Sequence, residues 1–452
     1  MKRFVKIILS VILILGMVVA PLHQVDTVYA EEAQTNPMRA IWLRPKEINK
    51  KQVEDTVQKL ADCGINTIYL ESVYNGFTIF PVEYDYTYQN PMYGGFDVLG
   101  AYVEACHSRG MQIHAWVESF FIGMQRANSG GPVYKAKKDW LLTDRDGNNW
   151  EDTMYGKMYF LNPARPECRE WIVGLYEIMV TNYDIDGVQL DYVRYPEKTK
   201  DKDYGFDDYT IKAFQEEKGV DFDPREVKQN SFEADVFAQY KRNQVTKFVE
   251  MCSTRLREIK PDLLLSLSVY PFYNDGVKNF MQSAEEWMKK GYGDLLFPMA
   301  YYENAVKNLT TQSIKVANDS PANTVIGIST QNNFTVESVK NQVQTVLDSG
   351  AGVAFFEYET FFSEGYADAL KGTLLKDTQF NIDVDTYKTD VVRENSNQDD
   401  DSDDGSKNPL LGLNLSTTDL IIYGVLAVAV IAIVVEAIVL IKGSKKKKND
   451  SE

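Results

Sequence analysis

The chain has 452 residues, 65 Asp plus Glu against 48 Lys plus Arg, and a net charge of −17. So acidic a chain lacks the clustered basic surface that releases counterions from phosphates, which argues against nucleic acid as a partner. With only three histidines and no HExxH motif, the usual ligand sets of a zinc hydrolase are not available, no metal or other cofactor is expected, and proton transfer falls to carboxylates.

The first thirty residues carry Lys2, Arg3 and Lys6, then the apolar run from Ile7 to Ala20, then Val28-Tyr29-Ala30. This is the pattern of a secretory signal peptide over residues 1–30, with cleavage expected after Ala30. Residues 31–376 are expected to form the folded domain. Within it one sentence recurs: an amphipathic helix, a stop at Gly, then a short apolar run. Leu60-Ala-Asp-Cys-Gly64 leads to Asn66–Leu70, Cys106-His-Ser-Arg-Gly110 to Met111–Val117, and Tyr183-Asp-Ile-Asp-Gly187 to Val188–Asp191. Lys290-Gly-Tyr-Gly293 precedes Asp294–Met299, and Asp348-Ser-Gly350 precedes Gly352–Phe356. A glycine after a helix marks its C-cap, and the apolar runs read as buried strands. With Arg39–Leu43, Leu263–Val269 and Thr324–Ser329 the count reaches about eight strands alternating with helices, which predicts an α/β fold, a (β/α)8 TIM barrel with long top loops. A doubly wound open sheet is the alternative, disfavoured because Leu43-Arg44-Pro45, not a Gly-rich phosphate loop, follows the first strand. The four cysteines lie in or beside predicted helices without CxxC spacing and are expected as buried thiols.

After the domain, residues 377–418 form an acidic flexible linker centred on Glu394–Gly405, too polar and too like-charged to order itself. Residues 419–441 form a predicted transmembrane helix. Leu420–Ile441 is apolar apart from Glu436 and reaches roughly 33 Å as a helix, enough to cross a bilayer. The basic tail, 442–452, contains Lys445–Lys448 and is expected in the cytoplasm, with the barrel outside.

Chemistry in a barrel sits at the C-terminal ends of the strands, and period-two alternation selects the inward residues. In the third strand Gln112, His114, Trp116 and Glu118 share the inward face; in the fourth, Gln189 and Asp191. Glu71 ends the second strand by the same parity, Glu303 follows Tyr302, and Glu357 ends the eighth. Asp191, Glu118 and Glu303 are the candidate catalytic carboxyls. Glu71, Glu357, Arg194, Trp116, Tyr195, Tyr270, Tyr301 and Tyr302 are the candidate substrate-binding residues. Acids on one rim with rings around them suit glycosidic cleavage: one carboxyl protonates the leaving oxygen, another acts as nucleophile or base, and rings stack on sugars. The plainer reading of any one acid is a loop anchor paired with Arg44 or Arg194, and His114 reads as a satisfied interior residue.

Met38-Arg-Ala-Ile-Trp-Leu-Arg44, Ile113-His-Ala-Trp116, Asp186-Gly-Val-Gln-Leu-Asp-Tyr-Val-Arg-Tyr-Pro196 and Phe297-Pro-Met-Ala-Tyr-Tyr302 together resemble the glycosyl-hydrolase-like family 10 of bacterial envelope proteins. The resemblance covers most of residues 37–360, with the fourth-strand block its most specific part. It implies a TIM barrel and a glycoside hydrolase acting on a cell-wall or surface polysaccharide, some relatives being linked to peptidoglycan glycan strands, and it maps the family's fourth-strand acid onto Asp191. Two departures alter the rim: Val-Glu-Ser follows His114-Ala-Trp116 where relatives often carry Phe-Asn-Pro, and Pro298-Met299 replaces Pro-Gln. The expectation is thus an exported, membrane-tethered glycosidase, the alternative a non-catalytic glycan-binding domain on the same barrel.

Overall fold

The computed structural model describes residues 37–125 and 130–376. The expected signal peptide, linker, span and tail all lie outside these residues, and no helix within them is long and apolar enough to cross a membrane.

Eight parallel strands form the centre: β1 Arg39–Leu43, β2 Thr67–Tyr74, β3 Gln112–Glu118, β4 Gly187–Asp191, β5 Leu264–Val269, β6 Leu295–Pro298, β7 Val325–Ser329 and β8 Gly352–Phe356. They pair in the order β6-β5-β4-β3-β2-β1-β8-β7. The ring is joined between β6 and β7 by two parallel bridges, Leu296 with Thr324 and Met299 with Gly327. That junction removes the open-sheet alternative. It depends on Gly327, where a Cβ would stand 3.1 Å from the Trp42 ring and 3.2 Å from the Pro298 carbonyl.

Around the ring lie α1 Lys50–Ala61, α2 Val98–His107, α3 Pro166–Asn182, α4 Phe232–Ile259, α5 Ala284–Lys289, α6 Val306–Val316 and α7 Val336–Leu347, with the short helices Tyr358–Ser363 and Tyr366–Leu370 after β8. The alternation seen in the sequence sorts two cores. Ile68, Leu70, Ile113, Ala115, Val117, Val188 and Leu190 pack outward under the helices. Ala40, Trp42, Tyr69, Trp116, Leu264, Leu295, Phe297, Val325 and Ala354 fill the barrel interior. A ring of helices outside and bulky side chains inside make this a packed core and not a pore.

Two sequence expectations change. The second strand does not end at Glu71: it runs on to Tyr74, pairs with Phe77–Thr78, and shifts register between Glu71 and Val73. Gly187 is not a helix cap either. The helix before it ends at Asn182, and Gly187 lies within β4, where a side chain would strike the His114 ring. The other four glycine stops, Gly64, Gly110, Gly291 and Gly350, do adopt the left-handed conformation. All four cysteines are free and buried.

The loops on the C-terminal side are uneven. Those after β2, β3 and β4 span 75–97, 119–165 and 192–231, and carry a three-stranded antiparallel sheet (Phe121–Met124, Glu151–Thr153, Gly156–Phe160) and the helix Asp208–Lys218. Those after β1, β6 and β7 span only 44–49, 299–305 and 330–335. One half of the mouth is therefore walled and the other half low.

Candidate active site

The barrel mouth is organised around Arg44, the first residue after β1. Its Nε donates to Glu71 Oε1 at 2.9 Å, while its other nitrogens lie 3.6 Å from Glu118 Oε1 and 3.4 Å from Glu357 Oε2. Its guanidinium sits over the Trp116 ring at 5.2 Å, with the Tyr74 and Phe356 rings each at 5.7 Å. Against burial, which disfavours its charge, Glu71, Glu118 and Glu357 hold this guanidinium protonated. Glu357 is fixed on its other side by Gln331 Nε2 at 2.9 Å.

Asp191 and Glu118 are register partners at the ends of β4 and β3. Both are buried, yet they are held in opposite ways. Asp191 is tied by donors: the Trp116 indole N–H to Oδ2 at 3.0 Å, the Tyr192 backbone N–H to Oδ1 at 2.7 Å, and the Ser268 hydroxyl. Tyr192 has φ +46°, unusual for a bulky residue, and this turn is what aims its amide back at the carboxylate. Burial lifts the Asp191 carboxyl above the usual range, and those donors, with Arg194, offset only part of the rise. Glu118 has one oxygen near Arg44, while Oε2 is buried with no partner. Burial first, then the charges of Glu71 and Asp191, push its carboxyl well above the ordinary value, against Arg44 and Arg194. Glu71 is raised to about 7, by burial most of all and opposed mainly by Arg44. A carboxyl raised well above its ordinary value beside one anchored by donors is the asymmetry from which acid/base chemistry draws its two roles.

Of the residues singled out in the sequence, Asp191, Glu118, Glu71, Glu357 and Arg194 converge here. Tyr301 joins them: it stacks on Phe356 with centroids 5.5 Å apart and lies within electrostatic reach of Asp191, Arg44 and Glu357. Tyr270 and Tyr302 stand on the neighbouring rim. Three residues do not fit the roles expected of them. Glu303 is exposed and lines a groove between the starts of α6 and α7 with Lys307, Thr335 and Glu337, because the turn after Tyr302 carries it outward, away from the Arg44 cluster. Trp116 is 1% exposed, so its ring supports Arg44 and Asp191 and offers no face to a sugar. Tyr195 is 2% exposed and packs behind the rim, with the Lys241 ammonium 5.6 Å from its ring. His114 is interior as expected but not fully satisfied: Nε2 meets Gln112 Oε1 at 3.1 Å while Nδ1 is buried without a hydrogen-bond partner, the ring lies against Tyr69, and burial lowers it to about 3, keeping it neutral.

Sequence reasoning gave Arg44 only the part of an anchor. Its place as the hub of three acids was signalled by its position one residue past β1, where an inward arginine faces acids from β2, β3 and β8. Tyr192 carried no such signal, because a positive φ at tyrosine is set by the tertiary surroundings.

Comparison with known proteins places this geometry. The glycosyl hydrolase-like 10 family model matches residues 37–346. Glycosyl hydrolase YngK of Bacillus subtilis (strain 168) is 22% identical over 342 residues, covering 67% of this chain and 60% of that protein. Glycosyl hydrolase DigH of Escherichia coli (strain K12) is 21% identical over 323 residues, covering 60% of this chain and 67% of its own. The alignment thus spans less than two thirds of YngK. Among solved structures, the catalytic domain of a β-amylase from Paenibacillus polymyxa has a TM-score of 0.52 at 11% identity, covering 78% of this chain and 99% of that one. A β-galactosidase from the psychrophilic Marinomonas ef1 has a TM-score of 0.51 at 12% identity, covering 79% and 59%. At such identities these likenesses speak to the fold, a (β/α)8 barrel of the kind glycosidases use. Its sequence from Pro37 onward, read together with that barrel, makes this chain a member of the glycosyl hydrolase-like 10 family.

Proposed function

We propose that this protein is an exported, membrane-tethered glycoside hydrolase that cleaves a bacterial cell-wall or surface polysaccharide. Asp191 acts as nucleophile or base and Glu118 as the acid. The observation that carries the reading is the contrast between these neighbours: Asp191 receives donors at both oxygens, which offset part of the rise that burial imposes, while Glu118 keeps a buried, unpartnered oxygen and a carboxyl raised well above the ordinary value. Glu118 donates its proton to the leaving oxygen as the glycosidic bond breaks, and the Asp191 carboxylate stabilises or captures the oxocarbenium-like carbon. Arg44 keeps Glu71 and Glu357 from raising the local negative charge further.

Replacing Asp191 with Asn preserves size and most hydrogen bonding but removes the charge. Turnover of peptidoglycan glycan strands should fall by at least about 10³-fold, a loss of roughly 4 kcal/mol, with binding and melting temperature little changed. Intact hydrolysis in Asp191→Asn overturns the assignment. Binding without cleavage by the wild type makes the barrel a glycan-binding module.

The sequence of the two ends supports export and tethering: Lys2 to Ala30 reads as a signal peptide, and the Lys-flanked apolar run ending at Ile441 as a single span. Protease added to intact cells should then release the barrel by cutting in the acidic linker, and a protected barrel would refute the topology.

A further inference from the structure

The two proposed catalytic carboxyls stand on adjacent strands. The line from Glu118 on β3 to Asp191 on β4 therefore runs along the foot of the high wall made by the loops after β2, β3 and β4. A scissile bond set between them places its leaving oxygen on the Glu118 side and its sugar carbon on the Asp191 side. The chain then follows the wall: its leaving portion passes over β3 and β2, and the sugar that is attacked, with those beyond it, passes over β4, β5 and β6.

On that second side the rim carries a continuous run of rings. The Arg194 guanidinium, which interacts with Asp191, lies 5.0 Å from the Phe280 ring. Phe280 meets Tyr270 at 4.7 Å, Tyr270 meets Phe272 at 5.8 Å, and Phe272 meets Tyr302 edge-on at 5.2 Å. Tyr302 is 42% exposed, and its side chain is hydrogen-bonded to that of Tyr270, which fixes the outer end of the run. The loop after β6 that bears Tyr302 is short, so no segment among the described residues covers it from the low side. On the other side of Arg44, Tyr74 stands beside Glu118 and Glu71 and is half-buried.

We infer that the Tyr270–Phe272–Tyr302 shelf binds the glycone side of the polysaccharide, beyond the sugar attacked at Asp191, with Tyr302 as the stacking platform. The inference rests on the roles proposed for Asp191 and Glu118. Flat rings with polar edges suit the alternating apolar and hydroxylated faces of a pyranose, and an exposed ring held by a partner needs little ordering when a sugar lands on it.

The test uses the full chain and 4-nitrophenyl glycosides of N-acetylglucosamine carrying one, two or three sugars, in which only the glycone side grows. In the wild type KM should fall as the glycone lengthens. Tyr302→Ala should abolish that gain, raising KM for the longest substrate about tenfold. Tyr302→Phe, which keeps the ring, should restore most of it. If hydrolysis proceeds and the gain with length survives Tyr302→Ala, the shelf assignment falls while the hydrolase reading stands. If no substrate is cleaved, calorimetry of N-acetylglucosamine oligomers on the Asp191→Asn protein decides. Affinity that rises with length and is lost in Tyr302→Ala keeps the shelf as a binding surface and removes the enzyme. Absence of binding removes both.

Discussion

The two ends of the barrel use the same residue types to opposite ends. At the N-terminal face Asp294 and Asp186 each hold a strand amide and a basic side chain. Asp294 Oδ2 accepts from the Leu265 N–H at 2.8 Å and from Arg257 at 3.0 Å. Asp186 Oδ2 accepts from the Ile113 N–H at 2.7 Å and meets His107 at 3.0 Å. Asn66 does the same work without charge, its Oδ1 accepting from the Arg39 N–H at 2.8 Å. In all three the residue just before an even-numbered strand ties down the start of the odd-numbered strand immediately before it, so the polar group closes the end of the ladder. At the C-terminal face four acids share Arg44 and Arg194. The lower end satisfies its charges and holds the ring together. The upper end leaves charge unbalanced, which costs stability and supplies reactive carboxyls.

The sharpest way to break this comparison beyond Asp191 is Glu118→Gln. As the proposed acid, it should lose on the order of 10²–10⁴-fold on natural glycan, where the leaving oxygen needs a proton, and far less on 4-nitrophenyl glycosides, where it does not. Because burial already disfavours the charged form of Glu118 and its Oε2 has no partner, the neutral Gln should let the melting temperature hold or rise. An equal loss on both substrate types would show that Glu118 is not the acid. Asp294→Asn is the converse at the lower end. It leaves Arg257 and the Leu265 amide short of a carboxylate, and should cost about 2 kcal/mol of stability, with kcat per folded molecule unchanged. A catalytic defect there, without loss of stability, would dissolve the division between the two faces.

The same division explains what the sequence revealed. The barrel was legible because parallel strands are buried on both faces and alternate with amphipathic helices, so the bounds of β1 and β8 match those read from apolar runs alone. Inward parity was legible for the same reason: in β3, Gln112, His114, Trp116 and Glu118 form a polar row that no helix-facing surface would accept. Parity says which way a side chain points and nothing of what it meets. Trp116 and Tyr195 both looked like platforms, but Trp116 is buried in the barrel interior beneath Arg44, and Tyr195 behind a loop whose course depends on contacts distant in sequence, such as Lys241 Nζ with Asp203 at 2.6 Å. Glu303 was placed by proximity to β6, but it lies past a turn, where alternation no longer holds.

The smallest expected effect comes from Glu71, and its sign tests whether the upper end carries a stability cost. Its carboxyl is raised from 4.5 to about 7, by burial first and then by Glu357 and Asp191, with Arg44 opposing. Between about pH 4.5 and 7 the folded protein retains a proton that the unfolded chain has released, so stability falls as pH rises through this window and levels off on either side. Glu71→Gln cannot ionise and should flatten that decline in melting temperature measured from pH 5 to 7. It should not abolish it, since Glu118 and Asp191 are lifted by burial as well. The same substitution removes a negative charge that helps hold Glu118 up, so the alkaline limb of kcat/KM should move to lower pH. Gln also keeps an oxygen to accept from Arg44 at the place where Glu71 does so at 2.9 Å, so this contact changes little while Glu71 is protonated. The slope and the limb therefore separate the two consequences. If both stay as in the wild type, Glu71 is ionised throughout and its pairing with Arg44 belongs with the matched charges of the lower face.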